Sequence, residues 1–282
     1  MRTTRRSAWR GWGNTEQRDG DFTAYLGRNV GTSSSRDFGI LDFTQMSQEV
    51  RLASPTGQFL EYVVGGYYYH TDQDNFFNRL NVTCTATTLA AGACAAGSST
   101  FATQSNGTAN FNTQLTNTAV FGQATLNFSD KFRGIVGLRL SKDKVEYDFA
   151  RVSSFAADTP GVRANFASKG STDETGTSGR IGVQYDVSED VNVYANYARG
   201  YKGPAINVFF NMRAFDTLPL QPEESDAFEL GLKSRLLDNR LVLNVAAFDT
   251  SYSGFQTTSF DTVAGSIVSR LINAGDVSTK GI

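Results

Sequence analysis

The sequence has few of the residues from which enzyme and metal sites are usually built. Its 282 residues include one histidine, two cysteines and two tryptophans. A single histidine excludes a histidine-rich metal centre, and the chain contains no G-x-S-x-G, P-loop or H-E-x-x-H motif. We therefore expect neither an enzyme nor a bound metal or cofactor. We interpret His70 as an ordinary loop or interfacial residue, and we place the adjacent carboxylates of Glu223 and Glu224 at the start of a strand.

An excess of charge of one sign is also lacking. Lys and Arg number 26 against 28 Asp and Glu, for a formal net charge of -2. The basic residues are spread along the chain, so nucleic acid is not expected as a partner. No run approaches the roughly 18 apolar residues that a membrane-spanning helix requires. The basic start MRTTRRSAWRGWG is not followed by the apolar core of an export signal, and we expect residues 1–20 to be unstructured or non-native.

The residues that are present favour β-structure. There are 21 Phe, 11 Tyr and 27 Gly but only 5 Pro, and apolar residues alternate with polar ones over long stretches. In SQEVRLASPTGQFLEYVVGGYYYH the alternation predicts a hairpin with the three-residue loop Pro55-Thr56-Gly57, which would set Leu52 opposite Leu60. Gly57 then takes the loop position that requires a positive φ.

Three more hairpins follow from the same pattern. A loop at residues 129–131 sets Leu126 opposite Gly134, and a loop at 188–190 sets Ile181 opposite Tyr197. A two-residue turn at Asp238-Asn239 sets Leu230 opposite Ala247. In the hairpins around residues 129–131 and 188–190 one face is apolar or glycine and the other is polar, whereas in the last hairpin the alternation blurs at Val242, Ala246 and Phe248, so the turn is predicted more firmly than the facing.

Tight turns alternate with long polar connections at residues 71–116, 142–177, 202–225 and 253–264. Short turns on one side and long loops on the other, with strands of about ten residues between, are typical of transmembrane β-barrels. The predicted fold is therefore all-β, an antiparallel meander forming part of a transmembrane outer-membrane β-barrel. The girdle of aromatic side chains at the membrane interface would include Tyr67, Tyr68, Tyr69, Tyr197 and Tyr201.

Two cysteines, Cys84 and Cys94, lie in a polar segment of small residues. They predict a disulfide that closes a short surface loop in an oxidising compartment. Two unpaired thiols are the alternative, and two cysteines alone do not make a zinc site.

Four segments resemble barrel segments of TonB-dependent outer-membrane receptors. They are SQEVRLASPTGQFLEYVVGGYYY, YANYARGYKGPAIN, QPEESDAFELGLKSRLLDNRLVLNVAAFDTSYSGFQ and INAGDVSTKGI, and the stretch at residues 224–231 is the most specific. The resemblance covers roughly residues 20–282, and we assign residues 21–282 to a partial barrel domain. It implies a bacterial outer-membrane location and a barrel of about 22 strands with an N-terminal plug, of which this chain supplies about ten.

The same resemblance implies energised uptake of a scarce ligand such as a ferric siderophore. The periplasmic partner TonB would act only through the plug, and we find no signal peptide, TonB box or plug in this sequence. Because an open run of strands leaves unpaired edges in lipid, we expect the chain alone not to be a working transporter. The alternatives are a soluble β-sandwich or β-solenoid module that binds carbohydrate or mediates adhesion, and a porin-like passive channel.

Two segments carry candidate ligand contacts. QDNFFNRL and NVFFNMRAF each place two phenylalanines near an arginine in a predicted extracellular loop, a chemistry suited to stacking on a flat ligand and pairing with its carboxylates. Aromatic packing between the loops is the alternative. The candidate ligand residues are Phe76, Phe77, Arg79, Phe209, Phe210 and Arg213, and the candidate lumen-facing residues are Arg133, Arg139, Arg180 and Lys233.

Overall fold

The computed structural model describes residues 1–19, 33–84, 102–159, 161–263 and 266–282. About four fifths of this part of the chain is strand, because its alternating aromatic and β-branched residues suit a pleated surface. Among the described residues, no helix is long and apolar enough to cross a membrane. The strands are β1 (Arg2–Asp19), β2 (Ser33–Ala53), β3 (Leu60–Cys84), β4 (Ala102–Asn127), β5 (Phe132–Ser153), β6 (Phe166–Ser188), β7 (Val191–Lys202), β8 (Glu223–Leu236), β9 (Leu241–Ser253), β10 (Gln256–Val263), β11 (Ser266–Asn273) and β12 (Val277–Gly281).

Ten of these strands form one antiparallel sheet. Strands β1 to β9 are neighbours in chain order, and β12 pairs with β9. The hairpin β10–β11 is a separate two-stranded sheet inserted between β9 and β12. A 3-10 turn, Ala214–Thr217, interrupts the segment between β7 and β8. The prediction of an antiparallel meander of about ten strands is confirmed.

Three of the four predicted hairpin registers are correct. Leu126 faces Gly134, Ile181 faces Tyr197, and Leu230 faces Ala247. A bulge beside Ser188 shifts the last pair of the second of these hairpins. Strand β8 begins at Glu223, as expected.

The register predicted for the first hairpin is wrong. Leu52 faces Val64 rather than Leu60, because the last pair of β2 and β3 is Ala53 with Val63, which leaves nine residues in the loop rather than three. The larger loop is closed by the backbone nitrogen of Gly57, which donates to Glu61 Oε1 at 2.6 Å. Gly57 does adopt a positive φ, of 75°. Both registers place Leu52 opposite an apolar residue on the same face, so alternation alone could not distinguish them.

Two of the predicted long loops are mostly strand. Strands β3 and β4 have 25 and 26 residues, more than twice the roughly ten that cross a bilayer. Their outer halves are mostly polar, apart from residues such as Phe77 and Ala109, and are joined by side-chain hydrogen bonds as well as by the backbone ladder. The Asn112 amide, for example, donates to Asp72 at 2.6 Å and to Asp74 at 2.8 Å.

The N-terminal residues also differ from expectation. Residues 1–20 were predicted to be unstructured or non-native, but Arg2–Asp19 form β1 and pair with β2 along the whole length of β1. Trp12 contacts Phe43 across this pair, with ring centroids 5.7 Å apart. Because β1 is basic and lacks alternating apolar residues, its sequence does not predict a strand. Its strand conformation depends instead on pairing with β2.

One face of the sheet carries a continuous apolar band. A single cross-strand ladder runs through seven strands, and its members include Leu60, Val183 and Leu230, which are 44%, 44% and 64% exposed. In β5 the band extends over residues 132–140, which is about 27 Å of strand and suits a tilted crossing of the bilayer. The ladder consists of Leu60, Leu126, Gly134, Val183, Ala195, Leu230 and Ala247.

The predicted tyrosine girdle is only partly present. Tyr68 lies on the apolar face with Val64, and Tyr197 lies on the same face with its ring 4.8 Å from that of Phe228. Tyr67 and Tyr69 point to the opposite, polar face, where their rings stack 6.4 Å apart. Consecutive strand residues alternate faces, so a run of three tyrosines could not lie wholly in the girdle.

Candidate functional site

The segment between β7 and β8 (residues 203–222) folds over the polar face of β3–β6. It brings Phe210 and Met212 onto Ala109, Tyr147 and Phe149, and all five are buried. This is a hydrophobic cluster on a face that is otherwise polar, and it lies beyond the apolar band, on the side away from the tight turns. The cluster therefore fixes the segment against the outer part of the sheet rather than inside the membrane.

The two FF-Arg motifs meet in this cluster. The rings of Phe77 and Phe210 lie 4.8 Å apart, although the residues belong to different motifs. The Arg79 guanidinium carbon lies 5.6 Å from the Phe77 ring centroid and 5.4 Å from that of Phe210. These three side chains pack one segment onto another, which is the alternative that sequence reasoning left open.

Arg79 is held by Asp37, whose side chain is 5% exposed. Arg79 Nε and Nη2 donate to the two oxygens of Asp37, each at 2.7 Å, and Arg18 Nη2 donates to Oδ2 at 2.6 Å. Burial alone would raise the pKa of Asp37, but the hydrogen bonds from Arg79 and Arg18 outweigh it and lower that pKa below its ordinary value. The carboxylate therefore stays charged and ties β1, β2 and β3 together.

A second arginine, Arg151, anchors the folded segment directly. Its Nη1 donates to the carbonyl oxygens of Phe210 and Met212 at 2.7 and 2.8 Å. Nε and Nη2 donate to the carbonyl of Ala164 at 3.0 and 2.7 Å. Burial, followed by the nearby charge of Arg163, lowers the pKa of Arg151 to about 10. The guanidinium thus satisfies three carbonyls that would otherwise be buried without donors.

Arg213 lies on the other side of the segment and faces the β10–β11 hairpin. Its Nη2 donates to Asp261 at 2.5 Å, and Arg270 stacks on Phe215 with 4.4 Å from guanidinium carbon to ring centroid. A backbone hydrogen bond from Thr262 lowers the pKa of Asp261, and the charges of Arg213 and Arg270 act in the same direction. The hairpin is thereby fastened to the folded segment through ion pairs.

The six candidate ligand residues therefore separate into different surroundings. Phe76, Phe77 and Arg79 were predicted in a loop but lie on β3, because the strand continues past the bilayer. Phe76 points to the face opposite Phe77 and makes an edge contact with Phe38 at 6.1 Å. Phe209, half-buried, packs against the hydrophobic cluster. Only the Arg213 side chain, 39% exposed, both lies in a connection and remains accessible.

All four candidate lumen-facing residues lie on the polar face, opposite the apolar band. Arg133 pairs with Asp186 at 2.9 Å, and Arg180 donates to Gln123 at 2.7 Å. The Arg139 guanidinium lies 5.2 Å from the Tyr67 ring centroid, and the Lys233 ammonium lies 5.3 Å from that of Tyr194. Each cation thus contacts another side chain of the sheet.

Sequence reasoning missed the residues that organise this region. Asp37, Arg151 and Asp261 stand in stretches that match no motif, and the arginines and carbonyls with which they form hydrogen bonds are 13 to 61 residues away in sequence. To predict that these residues contact their partners, the register of every strand pair would have to be known. In the described residues no group of three or more His, Cys, Asp or Glu could hold a metal. The side chain of Cys84 and the whole of Cys94 lie outside the described part of the chain.

A family model described as "TonB dependent receptor-like, beta-barrel" matches residues 2–282. The chain belongs to the TonB-dependent receptor family. Proteins of this family are located in the outer membrane, in agreement with the apolar band and the asymmetric turns. Family members bind siderophores or metal complexes and interact with TonB.

Curated relatives match part of this chain. The metal-pseudopaline receptor CntO of Pseudomonas aeruginosa is 31% identical over 147 residues, which are 49% of this chain and 19% of that protein. The catecholate siderophore receptor Fiu of Escherichia coli K12 is 30% identical over 155 residues, 50% of this chain and 20% of that protein. The matched region is thus about a fifth of each relative.

Among solved structures, the ferric yersiniabactin uptake receptor FyuA of Yersinia pestis superposes with a TM-score of 0.69. The match covers 99% of this chain and 36% of the FyuA chain at 19% identity. The siderophore receptor PiuA of Acinetobacter baumannii gives a TM-score of 0.53, over 97% of this chain and 43% of that one. At these identities the likeness concerns the fold.

Proposed function

We propose that this chain is part of the barrel of an energised outer-membrane importer of a metal–siderophore complex. The observation that carries the proposal is the family match over residues 2–282 together with the continuous apolar band. The two alternatives raised by the sequence explain less. A soluble binding module would not expose that band to water. A porin-like passive channel does not account for the matched relatives, which are named as receptors.

In this proposal the polar face lines the lumen. Arg133, Arg139, Arg180 and Lys233 keep that face hydrated and leave their outer donors for a plug domain, through which alone TonB would act. Among the candidate ligand residues we assign the contact to Arg213, because its guanidinium is accessible and already pairs with a carboxylate, Asp261. Phe77, Arg79 and Phe210 would support the segment from beneath.

Uptake of ⁵⁵Fe-labelled siderophores by cells producing the receptor that carries this chain tests the proposal. We expect uptake that stops when an ionophore collapses the proton-motive force and that is absent from cells without TonB. A panel of catecholate, hydroxamate and carboxylate siderophores would identify the ligand class. Uptake that is indifferent to both treatments would contradict the proposal and indicate a passive channel.

A further inference from the structure

A groove runs along the membrane-facing side of the sheet, where the apolar band ends. Its volume is about 480 Å³, and it lies at the end of the band remote from the tight turns. The side chains of Val50, Tyr68, Val120 and Leu140 form its walls, and they are 37% to 60% exposed. Its floor is the backbone of Gly66, between Val50 on one side and Val120 on the other.

The groove exists because position 66 has no side chain, and neither backbone strain nor crowding accounts for that glycine. Among the described residues the glycines with positive φ are elsewhere, at 57, 161, 254 and 275. If a Cβ were placed on Gly66, the nearest atom outside residues 65–67 would be the carbonyl oxygen of Ala119, 4.0 Å away. Gly65 differs, because a Cβ there would lie 2.6 Å from the Val50 carbonyl oxygen and 2.6 Å from the Phe121 ring.

The rim of the groove changes character abruptly. Beyond Tyr68 and Leu140 it is formed by Gln48, Thr118, Thr175 and Lys142. The Lys142 ammonium is paired with Asp173 at 3.1 Å, but both side chains are more than half exposed. An exposed pair of this kind contributes little free energy, so the ammonium can transfer to another anion at small cost. An apolar trough with a cation and hydroxyls at its outer end suits a molecule with an acyl chain and a phosphate.

We propose that this groove binds one acyl chain of lipid A, the phosphorylated glycolipid of the outer leaflet, with a lipid A phosphate at Lys142. Long connections lie on the outer side of such barrels and short turns on the periplasmic side. The groove therefore opens to the leaflet in which lipopolysaccharide resides rather than to the phospholipid leaflet. The charge of Lys142 and the hydroxyls of Thr118 and Thr175 complement a phosphorylated sugar.

Native mass spectrometry of the receptor that carries this chain, purified from outer membranes in mild detergent, tests the proposal. Lipid A and phosphatidylglycerol would be titrated in turn, each with the wild type and with two variants. Gly66→Leu fills the groove, and we expect it to weaken lipid A binding about tenfold, the loss of roughly two buried methylenes. Lys142→Gln should weaken binding of bisphosphorylated lipid A about fivefold and leave binding of a dephosphorylated form unchanged.

Two matched controls separate this site from general lipid contact. Ala195→Leu adds three apolar carbons, against four in Gly66→Leu, on the membrane face away from the groove, and Lys169→Gln removes an exposed lysine that pairs with Asp148. Both should bind lipid A as the wild type does. Equal binding of lipid A and phosphatidylglycerol by the wild type, or equal losses in variants and controls, would overturn the proposal. Lys142 is exposed, so the Lys142→Gln result stands even if Gly66→Leu disturbs folding.

Discussion

Arg79 and Asp37 form a two-pronged ion pair, with both nitrogen–oxygen distances at 2.7 Å, between adjacent strands. The pair lies beyond the membrane band, where no lipid covers the sheet. Asp37 is nearly buried, so its charge depends on Arg79 and Arg18 for compensation. This cluster joins the edge of the sheet to the segment that folds over it, because Arg79 also lies against Phe210.

Removing Arg79 should destabilise the protein measurably. In Arg79→Met the Asp37 carboxylate keeps only Arg18, whose side chain is half exposed. We expect a loss of about 3 kcal/mol in the free energy of unfolding, as for a broken buried ion pair, measured by urea titration in lipid vesicles. The control Lys169→Gln breaks an exposed pair and should cost less than about 1 kcal/mol. Equal effects in the two variants would refute this role of Asp37.

The same pair predicts a pH dependence. The pKa of Asp37 is lower in the folded protein than in an unfolded chain. Its contribution is therefore fully present above the ordinary aspartate pKa of about 4 and is lost as pH falls through the lowered folded value. Stability measured from pH 7 downward should fall in that acidic range, and Asp37→Asn should flatten that part of the curve. A variant curve parallel to the wild type would contradict the assignment.

Loss of the Arg151 side chain should destabilise the segment between β7 and β8 but leave the barrel folded. In Arg151→Met the carbonyls of Phe210, Met212 and Ala164 lose their donor, at about 1–3 kcal/mol for each buried group left unpaired. We expect faster hydrogen exchange at residues 205–213, with the heat-modifiable migration of the barrel preserved. Arg180→Met, which removes the hydrogen bond to Gln123, serves as the control. Unchanged exchange in Arg151→Met would show that the hydrophobic cluster alone holds the segment.

Substitution by alanine should destabilise the protein at Gly65 but not at the neighbouring Gly66. Gly65→Ala places a methyl group 2.6 Å from the Val50 carbonyl oxygen, a backbone atom that cannot easily move. We expect it to cost about 1–3 kcal/mol, as for overpacking. Gly66→Ala meets no atom nearer than 4.0 Å, so its free energy of unfolding should stay within about 0.5 kcal/mol of wild type. Similar losses in both variants would show that Gly66 is retained for structural reasons.

The parts of the fold that could be predicted from sequence are those in contact with lipid. Where one face is apolar, as around Leu126 and Gly134, alternation fixes both the strand and its register. The signal weakens in the outer halves of β3 and β4, where Asn, Thr and Asp are frequent on both faces and are typical of loops. Backbone pairing across four adjacent long strands stabilises those residues. The alternation of residues within one strand does not indicate such pairing.

The site could be predicted only in its components. Sequence reasoning found Phe77, Arg79 and Phe210 as aromatic and basic residues beyond the membrane, but placed them in separate loops. Their contact depends on the segment after β7 returning across β3–β6, and Arg151 fixes that return through backbone carbonyls. Every residue has a backbone carbonyl, so no sequence motif marks the carbonyls of Phe210 and Met212 as acceptors for Arg151.

The most direct test of the account is the direction in which β5 faces lipid. Val136 and Leu138 are 46% and 54% exposed on the apolar face, whereas Ile135 and Gly137 point to the polar face. Spin labels at residues 135–138, placed one at a time in a Cys84→Ser, Cys94→Ser background, would be examined in vesicles by electron paramagnetic resonance. The account predicts that oxygen, which concentrates in lipid, relaxes the labels at 136 and 138 more strongly than those at 135 and 137. Four labels equally accessible to a water-soluble relaxing agent, or the reverse alternation, would contradict an outer-membrane barrel.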